Sequence, residues 1–114
     1  LRNMMDPTLD GGSIDHYSKY KNGIDVHYSS GIANNFFYLL SDGGKNRTSG
    51  KTVTGISRAK AEKIWYRALT VYMTSSTNFK AARTATLSAA KDLYGATGAE
   101  YAAVGNAWTA VGVN

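Results

Sequence analysis

Only one alanine, Ala33, precedes residue 59 in this 114-residue chain, while the remainder is alanine-rich, with apolar residues recurring every three or four positions. That period is the spacing of one helix face, so the second half is committed to helices. Residues 1–28 are instead polar, rich in glycine, aspartate and tyrosine, and show no helical period. The pattern predicts one domain over residues 1–114. It is mainly α: a compact helical bundle of about four to five helices, an irregular N-terminal segment, and a polar loop or short hairpin near 45–56.

Four helices can be bounded. The first starts near Ser29 or Ser30, either able to cap it, and ends at Gly43-Gly44. Ile32, Ala33, Phe36, Phe37, Leu39 and Leu40 cover most of its circumference, which predicts a central, buried helix. The second follows Ser57 as N-cap and points Ala61, Ile64, Trp65, Ala68, Leu69 and Tyr72 inward. The third runs from about Asn78 to Tyr94, with Phe79, Ala82, Ala89, Ala90 and Leu93 inward and Gly95 just past its end. The fourth opens with Thr97-x-x-Glu100, the capping-box spacing, and buries Tyr101, Val104, Trp108 and Val111.

Composition narrows the chemistry. With no cysteine, disulfide scaffolds, thiolate zinc sites and cysteine nucleophiles are excluded together. No apolar run approaches the ~18 residues of a membrane span, so a membrane partner is not expected. Gly44 to Gly50-Lys51-Thr52 resembles a phosphate loop, but five residues separate the glycines where the motif has four. Asn46-Arg47-Thr48 fits the glycan-acceptor triplet, a pattern that also arises by chance in bare polar loops. Seven basic residues and one acid lie between Lys45 and Arg67. Arg58, Lys60, Lys63 and Arg67 fall opposite the apolar stripe, so a solvated face explains them and no nucleic-acid partner is expected.

Two histidines remain. His16 follows Asp15, and His27 stands two residues after Asp25. Without thiolates the pair cannot fill a closed zinc site, and they lack helical i, i+4 spacing. In an extended segment Asp25 and His27 point to the same side, so the carboxylate can accept from Nδ1 and leave Nε2 facing outward. On spacing alone a surface or structural histidine is the simpler reading.

Several stretches in register add a resemblance. Leu1-Arg2-Asn3-Met4-x-Asp6-Pro7, Asp15-His16-Tyr17-Ser18 and Asp25-Val26-His27-Tyr28-Ser29-Ser30-Gly31-Ile32-x-Asn34 open it. Ile64-Trp65-Tyr66-Arg67-Ala68-Leu69-Thr70, Thr77-Asn78-Phe79, Asp92-Leu93-Tyr94-Gly95 and Ala110-Val111-Gly112-Val113 follow in order. Together they resemble the C-terminal domain of the thermolysin family of neutral zinc metalloendopeptidases, over essentially the whole chain, with a slightly longer loop around residues 45–54.

The resemblance implies a secreted, extracellular enzyme that cleaves peptide bonds before bulky hydrophobic residues. Its zinc would be held by an H-E-x-x-H helix and a further glutamate, a pattern these 114 residues do not contain. No metal ligand is assigned here; zinc, and calcium with it, would belong to the full enzyme. The implied partners are the N-terminal catalytic lobe of the same precursor and a peptide or protein substrate. By the same resemblance His27 matches the histidine that donates to the oxyanion formed as water attacks the peptide carbonyl, a role typically worth ~10²–10³ in rate. Asp25 would orient that imidazole. One branch of the family carries its aspartate five residues before the histidine, where this chain has Asn22; the elastase-like branch has Asp-Val-His, as here. Arg2 matches the arginine that grips the substrate carbonyl, and Leu1 an apolar wall residue of the same pocket. The isolated chain is expected to be inactive. The competing expectation is a stand-alone helical binding module without catalysis.

Overall fold

The computed structural model describes residues 4–20, 30–74 and 76–114. Among them are four α-helices and one two-stranded hairpin: α1 (Gly31–Asp42), β1 (Gly44–Lys45), β2 (Thr52–Val53), α2 (Arg58–Arg67), α3 (Phe79–Tyr94) and α4 (Ala99–Ala110). Two 3-10 turns, Pro7–Asp10 and Tyr17–Lys19, precede α1. The mainly α expectation holds, and the Cα radius of gyration of 13.1 Å matches the ~13 Å expected of a compact chain this long.

The core forms where α1 meets the alanine-rich helices. Phe36 of α1 stacks on Trp108 of α4 with ring centroids 3.9 Å apart, and both are fully buried. A buried indole N–H needs an acceptor, and Trp108 Nε1 donates to Thr86 Oγ1 of α3 at 2.7 Å. The Thr86 hydroxyl donates in turn to the Ala82 carbonyl at 2.8 Å. Ala85, Ala89 and Ala90 of α3 and Ala103, Val104 and Ala107 of α4 complete this apolar layer. At the far end of α4, the Arg83 guanidinium donates to the carbonyls of Gly105 and Val113, while the terminal carbonyls of Ala107, Trp108, Thr109 and Ala110 accept from Val111 N–H, Val113 N–H, Gly112 N–H and the Ser49 hydroxyl.

Caps chosen by sequence hold in three places. Ser57 caps α2 through Lys60 N–H, Asn78 caps α3 through Ala81 N–H at 2.8 Å, and Gly95 ends α3 with φ of 88°. Three assignments fail. The capping box at Thr97 is not used: α4 starts after Gly98, and Glu100 reaches instead across to Lys60 Nζ at 2.8 Å. Leu69 and Tyr72 are not inward; they are 46% and 41% exposed. The reason is a π-helical turn over Ala68–Tyr72, closed by Met73 N–H donating to the Ala68 carbonyl at 2.8 Å. One extra residue in that turn rotates the side chains after Ala68 off the buried stripe. Leu93 also faces outward, at 40% exposed, in the last turn of α3.

The loop expected near 45–56 is a hairpin in which Gly44 pairs with Val53 and Lys45 with Thr52. Its exit lies on the end of α1: Ile56 and Ser57 donate their N–H groups to the carbonyls of Leu40 and Ser41. Gly55 allows this approach, because a Cβ there would sit 2.5 Å from Gly43 N.

Candidate functional site

Leu1, Arg2, Asp25 and His27 all lie outside the described residues. Their described flanks nevertheless meet at one place, the beginning of α1. Ser30 holds its N-cap position, three residues after His27 in the sequence. Met4, two residues after Arg2, is tied to the second turn of the same helix: Asn35 Nδ2 donates to the carbonyls of Met4 and Met5, each at 2.9 Å. Glycine at position 31 allows the N-terminal segment to cross here, since a Cβ would meet the Ile14 carbonyl oxygen at 2.3 Å and Pro7 Cβ at 3.0 Å.

The polar hairpin loop clasps the same segment. Asn46 is fully buried; its Nδ2 donates to Asn35 Oδ1 at 2.9 Å and to the Asp15 carbonyl at 2.7 Å, and its Oδ1 accepts from Ser49 N–H at 2.8 Å. With its nitrogen enclosed and both donors engaged, Asn46 is a structural amide in the folded chain rather than a glycan acceptor. Thr48 donates to the buried Asp15 carboxylate from its hydroxyl at 2.5 Å and its N–H at 3.3 Å. Arg47 Nη1 reaches Asp6 Oδ2 at 3.1 Å. The Asp6 carboxyl is held below its ordinary value mainly by the Thr8 hydroxyl, opposed by burial and aided by Arg47. Within the stretch that resembled a phosphate loop, Asn46, Arg47, Thr48 and Ser49 therefore spend their side chains on the protein itself.

His16 is likewise structural. Its Nδ1 accepts from Ser18 N–H at 3.2 Å, capping the second 3-10 turn, so the neutral ring carries its proton on Nε2. The imidazole covers Gly112, where a Cβ would come within 2.5 Å of it. Desolvation lowers its pKa, against the opposing pull of the Asp15 charge.

An apolar groove of about 480 Å³ opens beside this end of the molecule, which sequence reasoning did not foresee. Tyr17, Tyr20, Trp65, Leu69, Met73 and Phe79 line its walls. Tyr17 and Tyr20 stack with centroids 5.7 Å apart, and Phe79 meets both edge-on. Leu69 and Met73 reach the groove beside the π-helical turn, so Leu69, lost from the predicted stripe, reappears as lining. A smaller hollow of about 210 Å³ shares Ala33 and Trp65 with it and extends to Met4. Tyr20, on the groove, directly precedes the span that carries Asp25 and His27.

Three of the basic side chains between Lys45 and Arg67 pair with carboxylates: Arg47 with Asp6, Lys60 with Glu100 and Arg67 with Asp92. The last contact ties two of the stretches that carried the resemblance. Arg67 Nε lies 2.9 Å from Asp92 Oδ2, and Tyr72 donates to the same oxygen. The phenol bond and the guanidinium hold the Asp92 carboxyl below its ordinary value, while the Tyr72 phenol is raised. The pairs made by Lys60 and Arg67 fit a solvated face of α2.

The family model for the thermolysin metallopeptidase alpha-helical domain matches residues 1–113. The chain belongs to that family. Relatives of this thermolysin-family domain bear the match out: bacillolysin of Bacillus cereus is 51% identical over 118 residues, which is 100% of this chain and 20% of that protein. Thermolysin of Alicyclobacillus acidocaldarius subsp. acidocaldarius is 49% identical, across 99% of this chain and 21% of its own length. The transglutaminase-activating metalloprotease of Streptomyces mobaraensis is 45% identical, across 99% and 16% respectively. The chain thus spans about a fifth of the length of the curated relatives it matches.

The described part of the domain does not fit a zinc centre. Among the described residues no three His, Cys, Asp or Glu side chains are grouped as a metal would require, and His16, which caps a turn, is the one described histidine. Nor, among the described residues, is any helix long and apolar enough to cross a membrane.

Proposed function

We propose that this chain is the helical lobe of an extracellular zinc metalloendopeptidase, and that it contributes substrate grip and oxyanion stabilisation rather than the metal. Zinc would be bound by the larger remainder of the enzyme. In this reading His27 donates an N–H to the oxygen that gains charge as the peptide carbonyl becomes tetrahedral. Asp25 accepts from the other ring nitrogen and fixes the tautomer that donates. Arg2 holds the neighbouring substrate carbonyl, and Leu1 lines the pocket for the bulky apolar residue that follows the cleaved bond.

The match across residues 1–113 carries this reading. The fold supports it, because the flanks of both proposed segments, Met4 and Ser30, meet the first turns of α1. A donor aimed at charge that develops in the transition state lowers the barrier without tightening ground-state binding. His27→Ala in the full-length enzyme should therefore lower kcat by roughly 10²–10³ with KM little changed. Steady-state hydrolysis of a quenched peptide with leucine after the scissile bond measures this; full turnover in that variant would remove His27 from the mechanism.

A further inference from the structure

We propose that Asn35, backed by Asn46, is the positioning residue for Arg2. The inference rests on the reading that Arg2 holds the substrate. It starts from an anomaly in α1: Ile32, Phe36, Leu39 and Leu40 are apolar and buried, yet Asn35 among them is 1% exposed. Asparagine is a poor helix former, and a buried amide costs free energy unless every polar atom is paired. Here each is. Both donors of Asn35 Nδ2 serve successive carbonyls, Met4 and Met5, and Oδ1 accepts from Asn46.

Asn46 is used as completely, with its donors on Asn35 and the Asp15 carbonyl and its acceptor on Ser49 N–H. The hairpin loop thereby braces the amide that holds the backbone just after Arg2. The contact spans 30 and 31 positions of sequence and satisfies nothing within α1 itself. Other anchors act further along the segment: Arg47 on Asp6, and Gly31 against Pro7 and Ile14. Asn35 acts on the backbone two and three residues after Arg2. A guanidinium on a long, flexible stem holds a carbonyl only if its backbone root is fixed, and a looser root weakens that grip in the ground state and the transition state alike, which raises KM and leaves kcat nearly unchanged.

The test uses the full-length enzyme with Asn35→Ala, Arg2→Ala and the double variant, assayed for kcat and KM on the same quenched peptide, well below the melting temperature of each. Asn35→Ala is expected to raise KM roughly tenfold while kcat moves less than about threefold. In the Arg2→Ala background the same substitution should change KM less than about twofold, because the side chain being positioned is gone. An equal rise in both backgrounds overturns the proposal, as does a lowered melting temperature with unchanged KM. If Arg2→Ala alone leaves KM unchanged, the role of Arg2 fails first, and that result is distinct from additivity of two effective substitutions. Should Asn35→Ala not fold, Asn46→Ala removes only the brace; it should raise KM about threefold with the same dependence on Arg2, and independence from Arg2 overturns the proposal.

Discussion

The helices after residue 58 bury alanines and one tryptophan against α1, whereas residues 4–20 are tied down by carboxamides, a buried carboxylate and backbone carbonyls. Both regions are ordered, but by different physics. Apolar burial is non-directional and tolerates small shifts. A satisfied buried amide fixes one geometry and fails sharply when a partner is removed. The second kind of hold lies next in sequence to the positions proposed to act on substrate, where geometry matters most. The first kind serves the scaffold behind them.

The comparison can be broken from either side. Trp108→Ala should have the largest effect on stability, about 3–5 kcal/mol, because it removes a fully buried ring, its stack on Phe36 and the partner of Thr86. Denaturant unfolding measures it, and the loss should appear in every helix at once. Asn46→Ala should cost less, about 2 kcal/mol, by stranding Asn35 Oδ1 and the Asp15 carbonyl. Its signature is local: amide exchange should accelerate over residues 4–20 well before α3 and α4 respond. Uniform acceleration would show that the two regions are one cooperative unit.

The smallest expected effect is a pH dependence. The pKa of His16 is lowered in the folded chain, chiefly by desolvation, so the unfolded chain takes up the proton first. Stability from this site is fully present above the ordinary histidine value of about 6.5 and is lost as pH falls through the lower folded value. Protonation of Nδ1 would also remove the acceptor for Ser18 N–H. Thermal melts between about pH 7 and 5 should fall for the parent chain and flatten in His16→Asn. The carboxylates whose values are lowered, Asp6, Asp92 and Glu100, lose their contributions at more acidic pH, starting near 4, which separates the two windows. A slope unchanged by His16→Asn would assign the upper window to another group.

Much of the helical half was legible because its signals are local. Ser57, Asn78 and Gly95 mark helix ends by chemistry acting within three or four residues. The family, too, could be read from short stretches in register, and the match over residues 1–113 agrees with it. Misreadings came where a distant partner intervened. Glu100 has the capping-box spacing, but Lys60 takes it from 40 residues away. Leu69 and Tyr72 keep helical spacing, but the π-helical turn rotates them toward the groove and the exposed Asp92 pair.

The amino-acid sequence by itself determined the helices and the family, since periodicity, caps and motifs are written along the chain. Tertiary structure alone decided what the polar stretches do. Asn46 reads as a glycan triplet or a bare loop, and becomes a buried brace only because the hairpin folds back onto α1. Asn35 reads as an ordinary polar helix residue until Met4 and Met5 arrive from 30 positions away. Hydrogen bonds of that range join groups with no common period, so no local pattern announces them.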